Sequence, residues 1–269
     1  MYPNISITDG FTLYTFGVSM LIAGSVFFYL LHSLSLKKGI VQHIFTDILS
    51  FILIPFFMGR FFHILAEWRD EKFMFMDLID GKGFIDFLSR FFLTENYNLS
   101  FSGCVIGFLI VFYTKTRKNK TDRPLYYDVI AISFLISSTI GYIGAFLGGQ
   151  IYGIPYDGIF SIVYDSKESI VPYSNPVFPL PILYLISISL IGLYLIRIYR
   201  KNNNLPHGFI GYMGFGLFGI LLFLIEFLNG SSDMLDSSFI GMNFNQILGI
   251  YLIGFAFIGL GKSLKLDNL

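Results

Sequence analysis

Four ionisable side chains interrupt the long apolar segments of this chain: Asp47, Arg60, Asp128 and Glu226. A charged group inside a lipid bilayer is costly unless it is paired or hydrated, so each of these residues is a functional hypothesis. Asp47 and Asp128 lie near the starts of their segments, and an acid in the first turn of a helix suits the positive end of that helix's dipole. The sequence therefore predicts a helix-end role for both acids and leaves Arg60 and Glu226 as candidates for chemistry.

Arg60 and Glu226 are both predicted to lie in the outer leaflet, because each falls towards the outward end of its segment. A planar guanidinium can donate two parallel hydrogen bonds to a phosphate, so Arg60 favours an anion or lipid-headgroup site in which Glu226 takes part. The alternative is a salt bridge that fastens two helices together. His63 and Glu67 follow Arg60 at helical spacing and share its face, which makes His63 a candidate base or an interfacial anchor.

The stretch GYIGAFLGGQIYGIP (141–155) holds five glycines in fifteen residues, and none of its side chains is charged. Small residues let helices approach closely, and an interrupted helix end can line a cavity within a membrane. The first of these glycines share an outer-leaflet layer with Arg60 and Glu226. The uncharged members of this layer are Gly59, Ser102, Gly103, Gly141 and Gly144.

The elements that must position these residues are predicted to be membrane-spanning helices. The chain is 54% hydrophobic and only 13% charged, where a soluble domain carries about twice that charge. A helix needs roughly 20 apolar residues to cross a bilayer, and seven segments reach or approach that length. They are 11–36, 44–66, 99–114, 125–148, 177–199, 208–228 and 242–262. The sequence thus predicts an all-α integral membrane protein whose 269 residues form a single transmembrane domain.

The loop charges orient these segments. Twelve of the eighteen basic residues fall on one side of the membrane and thirteen of the eighteen acidic residues on the other. Basic loops stay in the cytoplasm, so the N-terminus is predicted to be outside and the C-terminus cytoplasmic. The outer loops 67–98 and 149–176 are long, and either serve a substrate or are insertions. Apolar residues in 67–98 predict a helix lying on the membrane surface.

Composition also argues against several kinds of partner. The chain carries equal numbers of basic and acidic residues, which predicts no nucleic-acid partner. Cys104 is the one cysteine, so no disulfide can form within the chain. Its four histidines are scattered in depth without the spacing of metal ligands. The sequence therefore predicts no metal site and no cofactor.

The motifs of the chain resemble those of the prolipoprotein diacylglyceryl transferases over nearly its whole length. LYTFGVSMLIAG (13–24) is similar to the family's first helix, and MGRFFHILAEW (58–68) to its Gly-Arg segment. NLSFSGCVIG (98–107) resembles a Ser-Phe-His-Gly-Gly motif, and 141–155 resembles the signature Gly-Arg-x-Gly-Asn-Phe-x-Asn-x-Glu followed by x-Tyr-Gly. FLIEFLN (223–229) and NQILG (245–249) resemble two later motifs, the second through a glutamine.

This resemblance implies a seven-helix enzyme of the bacterial plasma membrane with its N-terminus outside. Such an enzyme moves a diacylglyceryl group from phosphatidylglycerol to the cysteine thiol of a preprolipoprotein. The reaction needs cations that hold the departing phosphate and help in making the thiol a thiolate. The implied catalytic residues are Arg60, Glu226 and His63. The implied lipid-binding residues are Gly59, Ser102, Gly103, Gly141, Tyr142, Gly144, Gly149, Gly153 and Gln246.

Several polar positions of the family's motifs carry other residues here. Ser102 replaces the motif histidine and Tyr142 the signature arginine, while Leu222 and Asn229 replace two arginines around Glu226. Phe16, Ala145, Gly148 and Gln150 are further replacements. The glycines and Arg60 match, so the sequence keeps the shape of a lipid site and loses most of its cations.

Three functional hypotheses follow. The first is a divergent diacylglyceryl transferase that still acts on a phospholipid through Arg60 and Glu226. The second is a catalytically inactive relative that binds a phospholipid or a membrane protein. The third is an unrelated seven-helix carrier or receptor, and it is ranked last because no segment pair shows the inverted repeat of many carriers.

Overall fold

The computed structural model describes residues 4–8, 11–37, 45, 47–66, 99–118, 120–164, 171, 175–201, 205–230 and 241–266. Two short strands, β1 (Asn4–Thr8) and β2 (Phe11–Tyr14), precede the helices. The helices are α1 (Thr15–Lys37), α2 (Ile48–Ala66), α3 (Phe101–Lys115), α4 (Arg123–Gly148), α5 (Leu180–Lys201), α6 (Phe209–Ile225) and α7 (Phe244–Leu266). Single 3₁₀ turns precede α4 (Lys120–Asp122) and follow α6 (Glu226–Leu228). The surface helix predicted for 67–98 lies outside the described residues.

Each predicted segment overlaps one of these helices, and six of the helices are long and apolar enough to cross a membrane. These six are Thr15–Leu36, Ile48–Leu65, Arg123–Gly148, Leu180–Lys201, Phe209–Leu228 and Phe244–Leu264. The seventh, α3, is apolar but has only 15 residues, which span about 22 Å of a hydrocarbon core about 30 Å thick. The chain is therefore a multi-pass membrane protein, and the number of spans and their orientation stay predictions.

The predicted start of the first helix, at residue 11, is wrong. Residues 11–14, predicted as the start of the first helix, form strand β2, which pairs antiparallel with β1 and places Ile5 opposite Leu13. The reason is local, since β1 and β2 are rich in β-branched and aromatic residues. The sequence Asp9-Gly10 between them is also a strong hairpin signal.

Contacts between the elements divide the chain into two compact units. Unit one comprises residues 1–42, 121–232 and 246–269, and unit two comprises 43–120 and 233–245. Unit one holds α4 at its centre, with α1, α5 and α6 packed around it. Unit two is built on the packing of α2 against α3. The single transmembrane domain stays a prediction from the sequence.

Unit one buries aromatic and aliphatic side chains of α4 and exposes apolar side chains of the other helices. Tyr126, Val129 and Leu135 of α4 are buried, whereas Leu21 of α1, Leu190 of α5 and Phe257 of α7 are exposed. An exposed leucine or phenylalanine on a long apolar helix is expected where the solvent is lipid. The pattern agrees with helices that are embedded in a bilayer.

Asp128 caps the start of a helix, but that helix is α6 and not α4, in which Asp128 itself lies. It lies in the second turn of α4, and its carboxylate accepts hydrogen bonds from the backbone N–H groups of Gly208 (3.0 Å) and Gly211 (2.7 Å) at the start of α6. Gly208 has φ 86°, a left-handed conformation that favours glycine, and carries no side chain that could cap the helix. The predicted interaction with the first turn of α4 is therefore wrong, because Asp128 caps the neighbouring helix.

We expect Asp128→Ala to lower the free energy of unfolding by about 3 kcal/mol, because it leaves two buried N–H groups without their carboxylate acceptor. For a chain of this size that corresponds to a melting temperature about 6 °C lower, or more. Asp128→Asn keeps one acceptor oxygen and should lose less. Thermal unfolding in detergent measures both variants, and an unchanged melting temperature for Asp128→Ala would contradict the capping role.

Asp47 caps α2, in agreement with its predicted role. Its Oδ1 accepts the backbone N–H of Ser50 (3.3 Å), and its Oδ2 accepts the Ser50 hydroxyl (2.6 Å). The Lys115 ammonium also donates to Oδ2 (2.7 Å). The hydrogen bond from Lys115, followed by those from Ser50, lowers the pKa of the Asp47 carboxyl to about 2. The start of α2 is thereby tied to the end of α3.

Candidate functional site

The Glu226 carboxylate is buried at the end of α6, with 7% of the residue exposed. The Tyr184 hydroxyl of α5 donates a hydrogen bond to Oε1 (2.9 Å), and the Asn229 side-chain amide donates one to Oε2 (2.8 Å). Each carboxylate oxygen therefore accepts one hydrogen bond from a neutral donor, and the two bonds together fix the plane of the group.

Tyr142 belongs to the same group of side chains. Its ring stacks on that of Tyr184 with the centroids 4.7 Å apart and the planes 16° from parallel. The position that resembles the signature arginine thus supplies an aromatic contact to the tyrosine that holds Glu226. Within the unit, α4, α5 and the turn after α6 converge on one carboxylate.

Sequence reasoning missed Tyr184 and Asn229 as partners of Glu226. Asn229 lies three residues after Glu226, and this short spacing is a signal that could have found it. Tyr184 is 42 residues away on another helix. No local pattern marks one tyrosine of α5 among the apolar residues around it.

The glycines of α4 pack against α1. A Cβ at Gly144 would collide with the Ser19 side chain, and one at Gly148 would lie 3.2 Å from Phe16 Cβ. Gly141 has more space, because its nearest neighbour would be Met20 Sδ at 3.6 Å. Gly144 and Gly148 therefore allow the close approach of α1 and α4, and the lipid-binding role of Gly141 and Gly144 stays a prediction.

These contacts provide a matched pair of substitutions. We expect Gly144→Ala to destabilise the protein by about 1–3 kcal/mol, because the added methyl overpacks the interface with Ser19. Gly141→Ala should be neutral or slightly stabilising, since alanine is the better helix former. Thermal unfolding of the two variants tests the difference. Equal melting temperatures would show that Gly144 is not a packing position.

Gly149 and Gly153 shape the chain where it leaves α4. Gly149 ends the helix with φ 63° in the left-handed region, and the N–H of Gln150 bonds to the Ala145 carbonyl (3.0 Å). A Cβ at Gly153 would lie 2.6 Å from the carbonyl oxygen of Phe178. Only glycine fits this approach without a shift of the backbone.

The segment after Gly153 is joined to the turn that carries Glu226. Gly153 forms an isolated antiparallel bridge with Asn229. The N–H of Ile154 bonds to the Leu228 carbonyl (3.0 Å), and the N–H of Gly230 bonds to the Tyr152 carbonyl (3.0 Å). Gly153 therefore contributes to the placement of Asn229, and through it to the orientation of the Glu226 carboxylate.

Unit two buries a guanidinium and an imidazole on one helix. Arg60 is 3% exposed, and His63 is also buried. The two residues are three apart in α2 and so share a face. A guanidinium in this setting can bind an anion through parallel hydrogen bonds, and a neutral imidazole can accept a proton.

Small residues bring α3 against α2 beside Arg60. The N–H of Ser100 bonds to the Gly59 carbonyl (3.0 Å), and a Cβ at Gly59 would lie 2.5 Å from Cys104 Sγ. A Cβ at Gly103 would collide with the Met58 carbonyl, and one at Gly107 would lie 2.6 Å from Pro55 Cα. The predicted site residues Gly59 and Gly103 thus have packing contacts that allow the two helices to meet closely.

The start of α7 completes unit two. The buried Ser102 hydroxyl donates a hydrogen bond to Asn245 Oδ1 (2.8 Å), and the ring of Phe62 packs edge-on against Phe244 with centroids 5.5 Å apart. Sequence reasoning missed Asn245 and selected its neighbour Gln246, which is buried in α7 and belongs to unit one. Asn245 and Gln246 are both polar residues at the start of an apolar helix, and this pattern could have marked either of them as a site residue.

The predicted site residues thus fall into two groups. Five of them, Gly59, Arg60, His63, Ser102 and Gly103, belong to unit two. The others, Gly141, Tyr142, Gly144, Gly149, Gly153, Glu226 and Gln246, belong to unit one. The predicted proximity of Arg60 to Glu226 stays a prediction. Among the residues that the structure describes, no cluster of three or more histidine, cysteine or acidic side chains could hold a metal ion.

Comparison with known proteins identifies relatives over most of the chain. The sequence profile of the prolipoprotein diacylglyceryl transferase family matches residues 4–261. A phosphatidylglycerol–prolipoprotein diacylglyceryl transferase of Helicobacter pylori strain J99 is 27% identical over 164 residues, 58% of this chain and 54% of that protein. The same-named protein of Halalkalibacterium halodurans is 24% identical over 247 residues, 90% of this chain and 80% of that protein. The chain therefore spans about half the length of the Helicobacter relative and most of the Halalkalibacterium one.

Proposed function

Because the chain belongs to the prolipoprotein diacylglyceryl transferase family, we propose that it transfers a diacylglyceryl group from phosphatidylglycerol to the cysteine thiol of a prolipoprotein. In this reaction the sulfur attacks the glyceryl carbon that bears the phosphate. A carbon–sulfur bond forms, the carbon–oxygen bond breaks, and glycerol phosphate leaves with the electron pair. The thiol proton passes to a base.

The observation that carries the proposal is the pair of buried basic side chains on one face of α2. Arg60 and His63 lie within one turn of an otherwise apolar helix, where a charge is costly unless it serves a purpose. We assign Arg60 to the phosphate, whose negative charge grows as the glycerol phosphate leaves. We assign His63 to the thiol proton, because its imidazole lies on the same face of α2 as Arg60 and within one turn of it.

Glu226 has a different role in this proposal. Its carboxylate accepts hydrogen bonds from Tyr184 and Asn229, which hold both of its oxygens in place. It remains a strong acceptor for a hydroxyl group. We therefore assign it to the glycerol headgroup of the lipid, whose hydroxyls distinguish phosphatidylglycerol from phosphatidylethanolamine.

We further propose that α3 is a seventh span and that the N-terminus is outside, in a bacterial plasma membrane. The support is the distribution of the loop charges, which alternates at every predicted loop. With this orientation the end of α2 that carries Arg60 faces the outer leaflet. A lipoprotein cysteine would reach it after export.

A second candidate function is binding of phospholipid, or of a membrane protein partner, without chemistry. It is favoured by Tyr142, which stacks on Tyr184 where the family motif has an arginine. The position thus adds aromatic packing and no positive charge. A protein of this kind would bind phosphatidylglycerol saturably and form no thioether.

Complementation separates the two functions. A bacterium depleted of its own diacylglyceryl transferase would express this chain, and mass spectrometry would detect the thioether on a lipoprotein. We expect a lipidated product from the unaltered chain and none from the Arg60→Ala variant. Absence of product from a chain that is shown to be inserted and folded would overturn the transferase and favour the binding protein.

A further inference from the structure

The described part of the chain between α4 and α5 includes a short folded segment that exposes apolar side chains at its tip. Residues 154–163, here called the finger, project from a base that is bonded to the helix ends. Ile159 is 95% exposed and Phe160 is 74% exposed, and Tyr156 is also exposed. Large apolar side chains on an exposed and ordered loop indicate a binding surface rather than a solvated linker.

The finger is held on its inner side by backbone pairing and a small core. Ile162 and Val177 exchange both backbone hydrogen bonds (3.0 and 2.9 Å), and the N–H of Tyr156 bonds to the Pro176 carbonyl (2.9 Å). Tyr152, Tyr164 and Val177 pack together beneath it. Burial in this small core raises the pKa of the Tyr164 hydroxyl to about 12. The finger therefore has one buried and one exposed side.

The base of the finger sits at the ends of three candidate membrane spans. The finger follows the cap of α4 at Gly149 and precedes the start of α5 at Leu180. The N–H of Ile154 bonds to the carbonyl of Leu228, the last residue of the span that contains α6. Ile159 is six residues beyond Gly153, so its backbone lies within about 20 Å of these helix ends.

The exposed patch suits lipid better than a protein partner. A large side chain contributes about 150–250 Å² when it is fully buried, so the tip offers only about half of the roughly 800 Å² that each partner buries in a stable protein interface. Aromatic and aliphatic side chains at the ends of spans are typical of the membrane–water interface. Asp157, which is exposed beside them, can stay among the headgroups.

We infer that Ile159 and Phe160 insert into the membrane interface and anchor the loop that joins α4 to α5 against the lipid surface. The anchor holds the segment that carries Gly153, which is bridged to Asn229 beside Glu226. The inference needs only the membrane location of the chain. It stands whether or not the protein transfers a diacylglyceryl group.

The test measures the depth of a fluorescent label at the tip. In a full-length Cys104→Ser background, Phe160→Cys is labelled with an environment-sensitive fluorophore and placed in nanodiscs of phosphatidylethanolamine and phosphatidylglycerol. Leu190→Cys, on the exposed face of α5, is the lipid reference, and Arg117→Cys, exposed after α3, is the water reference. We expect strong quenching of the Phe160 label by lipid-attached nitroxides and weak quenching by aqueous iodide.

Iodide quenching of the Phe160 label at the level of the Arg117 reference would overturn the inference. Shielding from both quenchers would overturn it too, because it would mean that protein covers the tip. If Phe160→Cys does not fold, Ile159→Cys provides the same measurement. Where both variants fold, both labels must agree with the lipid reference for the anchor to stand.

Discussion

Replacing Arg60 with alanine is expected to lower the rate of the proposed diacylglyceryl transfer by about a thousandfold or more, since it removes the guanidinium that is proposed to hold the departing phosphate. The loss should appear mainly in kcat, because the negative charge on the phosphate grows as the bond breaks. The effect is expected to be large because several other cationic positions of the family motifs are filled here by neutral residues such as Tyr142 and Leu222. Purified protein with phosphatidylglycerol and a lipobox peptide measures the rate.

Two control variants sharpen this prediction. Arg60→Lys keeps the charge but cannot donate two parallel hydrogen bonds, so an intermediate rate is expected. Arg197→Ala removes an exposed arginine of α5 and should leave the rate unchanged. Wild-type activity in Arg60→Ala would exclude Arg60 from the reaction. Loss of folding would appear as a lowered melting temperature and is checked on the same samples.

Replacing Glu226 with glutamine is expected to lower the transfer rate by about a hundredfold. Glutamine keeps the shape of the side chain, and its amide oxygen can still accept the hydrogen bond from the Tyr184 hydroxyl. The amide nitrogen of the glutamine would then face the Asn229 amide nitrogen. Both are donors, so neither would have an acceptor. The variant also removes the negative charge that is proposed to hold the lipid headgroup, so KM for phosphatidylglycerol should rise.

Tyr184 tests whether the position of the carboxylate matters. Tyr184→Phe removes the 2.9 Å hydrogen bond to Oε1 and should cost about tenfold in rate, the effect of one bond to a charged group. In the Glu226→Gln background it should cost much less, because the two residues act together. Tyr194→Phe, an exposed tyrosine of the same helix, is the control. Equal losses for Tyr184→Phe in both backgrounds would contradict a role through Glu226.

The glycine-rich stretch illustrates how one pattern can serve two purposes. Gly144 and Gly148 approach α1, Gly149 ends α4 in a left-handed conformation, and Gly153 lies against the Phe178 carbonyl. All four have structural reasons to be glycine within their own unit. The glycines that the sequence predicted to line a lipid site are therefore also explained by helix packing and backbone turns. Substitution of Gly144 and Gly141 separates the two explanations.

The helices themselves could be predicted from the sequence, because a span needs only an unbroken apolar run, and that property is local to the run. Seven apolar segments correspond to α1–α7, with ends that differ by a few residues. The family could also be recognised, since its motifs are contiguous. Residues 11–14 were the exception, because their apolar character also suits a strand that pairs with the preceding segment.

The partners of the polar residues were decided only by the tertiary structure. Asp128 binds the cap residue of a helix 80 residues later, Tyr184 holds a carboxylate 42 residues away, and Ser102 reaches Asn245 across 143 residues. Each of these contacts depends on which faces of two helices meet. Small residues such as Gly103, Gly144 and Gly211 set those faces through the close approach they permit. The sequence determined which segments are helices and which side chains are costly to bury, and the packing determined what those side chains bind.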